Sequence, residues 1–168
     1  MTKENQIYVA CLAAYNSGHL HGEWITPAND KDELQEQINK ILKSSPIEDA
    51  EEWAVHDYND FPNLGEYPGI ENIIKVQEAI DEHEADVVSA FLENWSIEDL
   101  DHVGDAYYGK YSDFSEFAQS LADETMLIDC PQHIQNYFDY DKWERDLKHD
   151  YYEGAAADGS SLIFNSNW

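Results

Sequence analysis

Positive charge is what this chain has least of. Lys and Arg together number 9 against 36 Asp and Glu, leaving a formal net charge of −27 over 168 residues. Without a basic footprint there is nothing to neutralise phosphates, so direct nucleic-acid binding is excluded. The same charge opposes approach to an anionic membrane leaflet. Cysteine is also scarce: Cys11 and Cys130 stand far apart with no CxxC spacing, which argues against a disulfide framework and for buried thiols in a reducing compartment. No run of 18 apolar residues exists to span a bilayer. The opening Met1–Gln6 has no apolar leader core, so a cytoplasmic location is expected.

The usual signatures of catalysis are missing as well. No glycine-rich phosphate loop occurs, and no serine sits in a Gly-x-Ser-x-Gly turn. His19 and His21 share one side of an extended segment but lack Cys or carboxylate companions at zinc spacing. Asp57–Phe61 does not supply a calcium loop. Carboxylate pairs for glycoside hydrolysis can be drawn from so many acids that the signal carries no information. No catalytic residue, cofactor or metal site is therefore expected.

What is present is a patterned acidic coat. Residues 1–60 carry 12 acids against 4 bases, 61–103 carry 11 against 1, and 104–168 carry 13 against 4. Hydrophobic content of 42% and aromatic content of 13% are too high for a solvating disordered chain. In the most acidic stretch Glu71, Glu78 and Glu82 follow a helical spacing, broken only by Lys75. Glu98, Asp101 and Asp105 repeat it, and Val88, Phe91, Leu92 and Trp95 form an opposing apolar stripe.

An α+β fold in three small modules is predicted, arranged as an elongated chain: 1–60, 61–103 and 104–168. In the first, Ile7–Tyr15 and His19–Ile25 read as a hairpin around Asn16-Ser17-Gly18. A helix capped at Asp30 with Leu34, Ile38, Ile41 and Leu42 inward runs to Ser44, and Glu52–Tyr58 reads as a third strand. That strand is expected to place Trp53, Val55 and Asp57 on one face and Ala54, His56 and Tyr58 on the other. The segment 59–69, with two Pro and two Gly, marks a boundary. Helices are expected over Ile70–His83, Glu84–Asn94 and Ser96–Val103. The third module reads as a helix capped by Ser112 with Phe114, Phe117, Ala118 and Leu121 buried. A short helical piece from Pro131, a helix over Asp139–His149 and a closing hairpin around Asp158-Gly159 follow.

Carboxylates in rows, with no active site behind them, suit a decoy for DNA. Duplex DNA carries one charge per ~1.7 Å of axis, so 27 charges match roughly 46 Å of duplex and a dimer's 54 roughly 92 Å. The candidate mimic surface is Glu71, Glu78, Asp81, Glu82, Asp86, Glu93, Glu98, Asp101, Asp105, Asp113, Glu116, Asp123 and Glu124. Tyr107, Tyr108 and Tyr111 form a candidate dimer patch. The rivals are an acidic regulator of another basic, DNA-binding protein and a hydrolase of unfamiliar type.

Three ordered segments also match a known family. They are Ile7-Tyr8-Val9-Ala10 leading through Tyr15-Asn16-Ser17-Gly18 to Leu20–Ile25, then Glu51–Tyr58 followed by Gly65-Glu66-Tyr67, and Asn136–Tyr140 followed by Trp143–Leu147. In this order and spacing the chain resembles the ArdA antirestriction proteins over nearly its whole length, the final twenty residues departing from the pattern. The resemblance implies three small domains in a curved, elongated arrangement and a cytoplasmic, homodimeric DNA mimic. Such a protein occupies the DNA-binding groove of type I restriction–modification enzymes and has no catalytic residue to transfer.

Overall fold

A computed structural model describes residues 4–168. Met1-Thr2-Lys3, part of the segment read for a leader, lies outside the described residues. The architecture is α+β: two three-stranded antiparallel sheets, in orders β2-β1-β3 and β4-β6-β5, each packed against helices. Among the described residues no helix is long and apolar enough to cross a membrane.

Strand β1 (Gln6–Cys11) is shorter than predicted, because Leu12–Asn16 folds as a short helix, α1. No β-branched residue follows Val9 in that run, and Leu, Ala and Ala favour a helical turn over an extended one. The return strand is confined to β2 (Gly22–Ile25), with Tyr8 opposite Trp24. Helix α2 (Lys31–Lys43) follows the prediction: the Asp30 carboxylate accepts the N–H groups of Asp32 and Glu33, and Leu34, Ile38, Ile41 and Leu42 are all buried.

Strand β3 (Trp53–Asn59) corrects the expected alternation. Its register against β1 shifts between Tyr8 and Val9, pairing Tyr8 with Asp57 but Val9 with Val55 and Ile7 with Tyr58. His56 is the extra residue of a β-bulge. Val55 and Tyr58 therefore share the inner face, and Ala54 and Asp57 share the outer one. Simple odd–even counting assigned Tyr58 and Asp57 to the wrong faces because it takes no account of an inserted residue.

The segment 60–69 holds no helix or strand, and α3 (Ile70–His83) follows as predicted. It breaks at Glu84, and α4 covers only Ala85–Leu92. Glu84 carries φ 75° and ψ 143°, a conformation that L side chains rarely adopt and that costs about 1–3 kcal/mol. Among the described residues, its exposed side chain makes no hydrogen bond that would offset this. Glu84→Gly should therefore raise the stability by about 1 kcal/mol in urea denaturation, whereas an unchanged midpoint would mean the strain is absorbed elsewhere.

The expected third helix of the acidic stretch divides in two. Ile97–His102 is a 3-10 helix, opened by Asp99 accepting from both the Ser96 N–H and hydroxyl, and Val103–Ala106 is a short helix, α5. Those two bonds hold the Asp99 carboxyl below its usual range.

Tyr107–Tyr111 is a strand, β4, which local sequence did not reveal. It pairs with β6 (Ser161–Asn165), which pairs in turn with β5 (Tyr151–Ala155). The cap of α6 (Phe114–Leu121) is Asp113 rather than Ser112: the Asp113 carboxylate accepts the Glu116 N–H at 2.8 Å. Glu116 in turn accepts the Ser112 N–H at 2.6 Å, tying the residue before the cap to the first turn. A π-helical turn (Ala122–Met126) extends α6, and α7 (Gln132–Gln135) and α8 (Tyr140–Leu147) follow.

The core is organised by β6, whose Ser161, Leu162, Ile163 and Phe164 are all buried. Leu162 and Phe164 join a cluster that runs through Phe91 and Val88 of α4 and Val76 of α3 to Leu34 of α2 and Val9 of β1. Ile163 faces the opposite way, into a second cluster with Phe114 and Phe117 of α6 and Leu147 of α8. One buried network thus connects the first sheet, the acidic helices and one face of the second sheet.

Candidate functional site: the acidic surface

Burying the apolar faces of α3 and α4 leaves their carboxylates in water. Ile73, Val76, Ala79 and Ile80 point inward from α3, so Glu71, Lys75, Glu78, Asp81 and Glu82 are exposed. From Glu71 to Glu82 this row runs about 16 Å along the axis. Opposite it, Glu98 and Asp101 stand one turn apart on the 3-10 helix, where residues three apart eclipse. The two walls enclose a groove of about 460 Å³ lined by Glu78, Asp81, Glu82, Glu98 and Asp101, with Asn29 and Lys75 as its other polar residues.

Most of the expected acids are exposed, and few face a fixed cation. Glu71 meets Lys31 at 3.1 Å. Asp81 is held by the amides of Asn29 (2.6 Å) and Gln77 (2.9 Å), which orient it without cancelling its charge. Asp105 lies 3.4 Å from the His102 Nδ1 and Glu82 lies 3.7 Å from the His83 Nε2. Among the described residues, Lys and Arg ion pairs otherwise involve Glu144, Asp146 and Asp158, none of them in the predicted set.

Several predicted acids serve the fold as well as the surface. Asp86, only half-exposed, accepts the Ala157 N–H at 3.1 Å and pins the β5–β6 turn to the start of α4. Glu93 accepts the Tyr152 hydroxyl at 3.0 Å, and Asp123 accepts that of Tyr140 at 3.3 Å. Burial first, and then those acids, raise both tyrosines above their ordinary range. Asp113 and Glu116 form the cap of α6. Glu124 is exposed on the π turn.

One basic residue is used structurally. Lys110 bridges to Asp158 at 2.7 Å, and this bond together with those from Ser160 holds Asp158 well below the usual carboxylate range. The tyrosine patch is only partly a surface. Tyr107 packs on Phe164 (5.5 Å) and Tyr111 on Phe117 (5.4 Å), while Tyr108 is 42% exposed on the edge strand β4. Met126, Ile128, Ile134 and Tyr137 are further exposed apolar side chains between α6 and α8, whose exposure the sequence reading did not single out. Among the described residues no group of His, Cys, Asp or Glu has the arrangement of a metal site. His21, half of the candidate imidazole pair, instead places its Nε2 2.9 Å from the Ile41 carbonyl at the end of α2.

No curated protein matches the sequence. A family model does, that of the antirestriction protein ArdA, over residues 7–160. With the folded acidic coat and the two-sheet α+β architecture, that match over almost the entire chain places it in the ArdA family of antirestriction proteins.

Proposed function

We propose that this protein is a cytoplasmic decoy for DNA that occupies the DNA-binding groove of a type I restriction–modification enzyme and so protects incoming DNA. The observation that carries the reading is the acidic surface of the middle helices, where ordered rows of carboxylates face solvent with little cationic cover. A groove built to release counterions from phosphates can release them equally from such rows. Inhibition is then competitive with DNA, salt-sensitive and indifferent to DNA sequence. The protein then acts by binding rather than by catalysis.

A cleavage assay with purified type I enzyme and unmodified DNA, titrated with this protein, tests the proposal. Block of cleavage near stoichiometric amounts is expected. Full cleavage at that point rejects it, and selective binding to some other basic protein without protection of DNA favours the acidic-regulator alternative.

On this reading the chain would act as three units, 1–60, 61–103 and 104–168, set in a row, which can present charge along a greater length than one sphere. Two copies joined as a homodimer would double that length. Tyr108, exposed on an edge strand, is the part of the tyrosine patch available to a second copy. Tyr108→Asp should convert a dimer to a monomer in analytical ultracentrifugation with circular dichroism unchanged; a dimer that persists rejects the patch.

A further inference from the structure

The bulge in β3 builds a cleft that the acidic rows do not use. Inserting His56 between Val55 and Asp57 turns both His56 and Asp57 outward at the sheet's edge. The loop 60–66 then folds back over that edge and is fastened there. The Val55 N–H donates to the Glu66 carbonyl at 2.9 Å, the Tyr58 hydroxyl to the Gly65 carbonyl at 2.6 Å, and the Gly65 N–H to the Asn63 Oδ1 at 2.9 Å. Gly65, at φ 85°, makes the reversal. Burial pushes the Tyr58 phenol up to about 12, so it remains a neutral donor in this frame.

The result is a cleft of about 660 Å³ with aromatic walls and acidic corners. Tyr15, 53% exposed, meets the His56 ring edge-to-face at 4.9 Å, and Tyr58 stacks on Phe61 at 6.0 Å. Asp57 and Glu66 supply carboxylates, the latter 3.6 Å from the His56 Nε2, and among the described residues no lysine or arginine lines the cleft. A protruding cation is the matching occupant. Its flat face gains from the exposed tyrosine ring, and its N–H groups gain from carboxylates already held in place.

We infer that the cleft between α1, β3 and the 60–66 loop is a receptor for an arginine side chain of the basic protein surface this molecule meets. This adds a shape-selective anchor to a coat otherwise reliant on distributed charge, and rests on the partner being a basic protein. Arginine is favoured over lysine because its planar guanidinium can stack and pair with a carboxylate at once, whereas an ammonium acts as a point charge.

The test is an amide NMR titration of the whole protein with Nα-acetyl-arginine N-methylamide, set against the lysine and neutral citrulline counterparts. Saturable shifts confined to 13–16 and 54–67 are expected with the arginine probe, weaker ones with lysine and none with citrulline. Tyr15→Leu and Glu66→Gln, both at exposed side chains, should each weaken the arginine probe about threefold. Glu33→Gln, an equal loss of charge at an exposed position on α2, should not. Shifts spread over the coat, equal responses to arginine and lysine, or equal effects of the two glutamate changes overturn the cleft. Restriction inhibition without localised probe binding removes the anchor and leaves the decoy standing; localised binding without inhibition does the reverse.

Discussion

Converting eight or more of the exposed acids of the candidate mimic surface, from Glu71 to Glu124, to their amides should abolish inhibition, while any one conversion should be nearly silent. An exposed ion pair contributes about 1 kcal/mol or less, so a single Glu78→Gln should shift half-inhibition by no more than about fivefold. At roughly 0.5 kcal/mol each, eight changes remove about 4 kcal/mol, close to a thousandfold. Glu78, Glu82, Glu98 and Asp101 belong first in the set, since among the described residues their carboxylates make no hydrogen bond and they line the acidic groove. Asp86, Asp113 and Glu116 are poor choices, because their loss frees backbone N–H groups and mixes folding with binding. Salt provides an independent check. Screening should weaken inhibition and, by relieving repulsion within a chain of net charge −27, raise the melting temperature. Loss of both with salt, or a single Asp→Asn that destroys inhibition, contradicts a distributed decoy.

How far the sequence carried depends on whether a feature is local. Helices α2 and α3 were legible because helical spacing is set within one stretch, and the Asp30 cap also marked the start of α2. The closing hairpin was legible too, from Asp158-Gly159 between two strand-like runs. Strand β4 was not: Tyr107-Tyr108-Gly109-Lys110-Tyr111 lacks alternation, and its partner lies more than fifty residues later in β6. The β3 bulge was hidden for a related reason, because an inserted residue is defined only against the neighbouring strand. The acids were legible as an exposed set because helical spacing fixes a face. Which of them also cap α6 or hold the β5–β6 turn depends on contacts made across the fold.

Phe91→Ala is expected to be the most destabilising single change in the chain. The ring is wholly buried, stacks on Trp95 at 4.8 Å and lies 6.1 Å from Phe164 and 6.3 Å from Trp168. It therefore joins α4 to the central strand of the second sheet. Truncation removes the transfer energy of the ring and leaves a cavity among rigid aromatics, a loss of about 3–5 kcal/mol. That is a large share of the 5–15 kcal/mol typical of whole domains. Because the same buried network continues through Val76 to Leu34 and Val9, the loss should reach the first sheet. Hydrogen exchange should show α4, β6 and β1 amides losing protection together. A fall confined to α4 and β6, with β1 unchanged, would mean that the modules open independently despite sharing a core. Phe91 lies beneath the coat rather than in it, so the variant should still inhibit in the cold and fail on warming. A variant that is folded by circular dichroism yet inactive at every temperature would mean that the buried ring, not the acids alone, shapes the surface the enzyme meets.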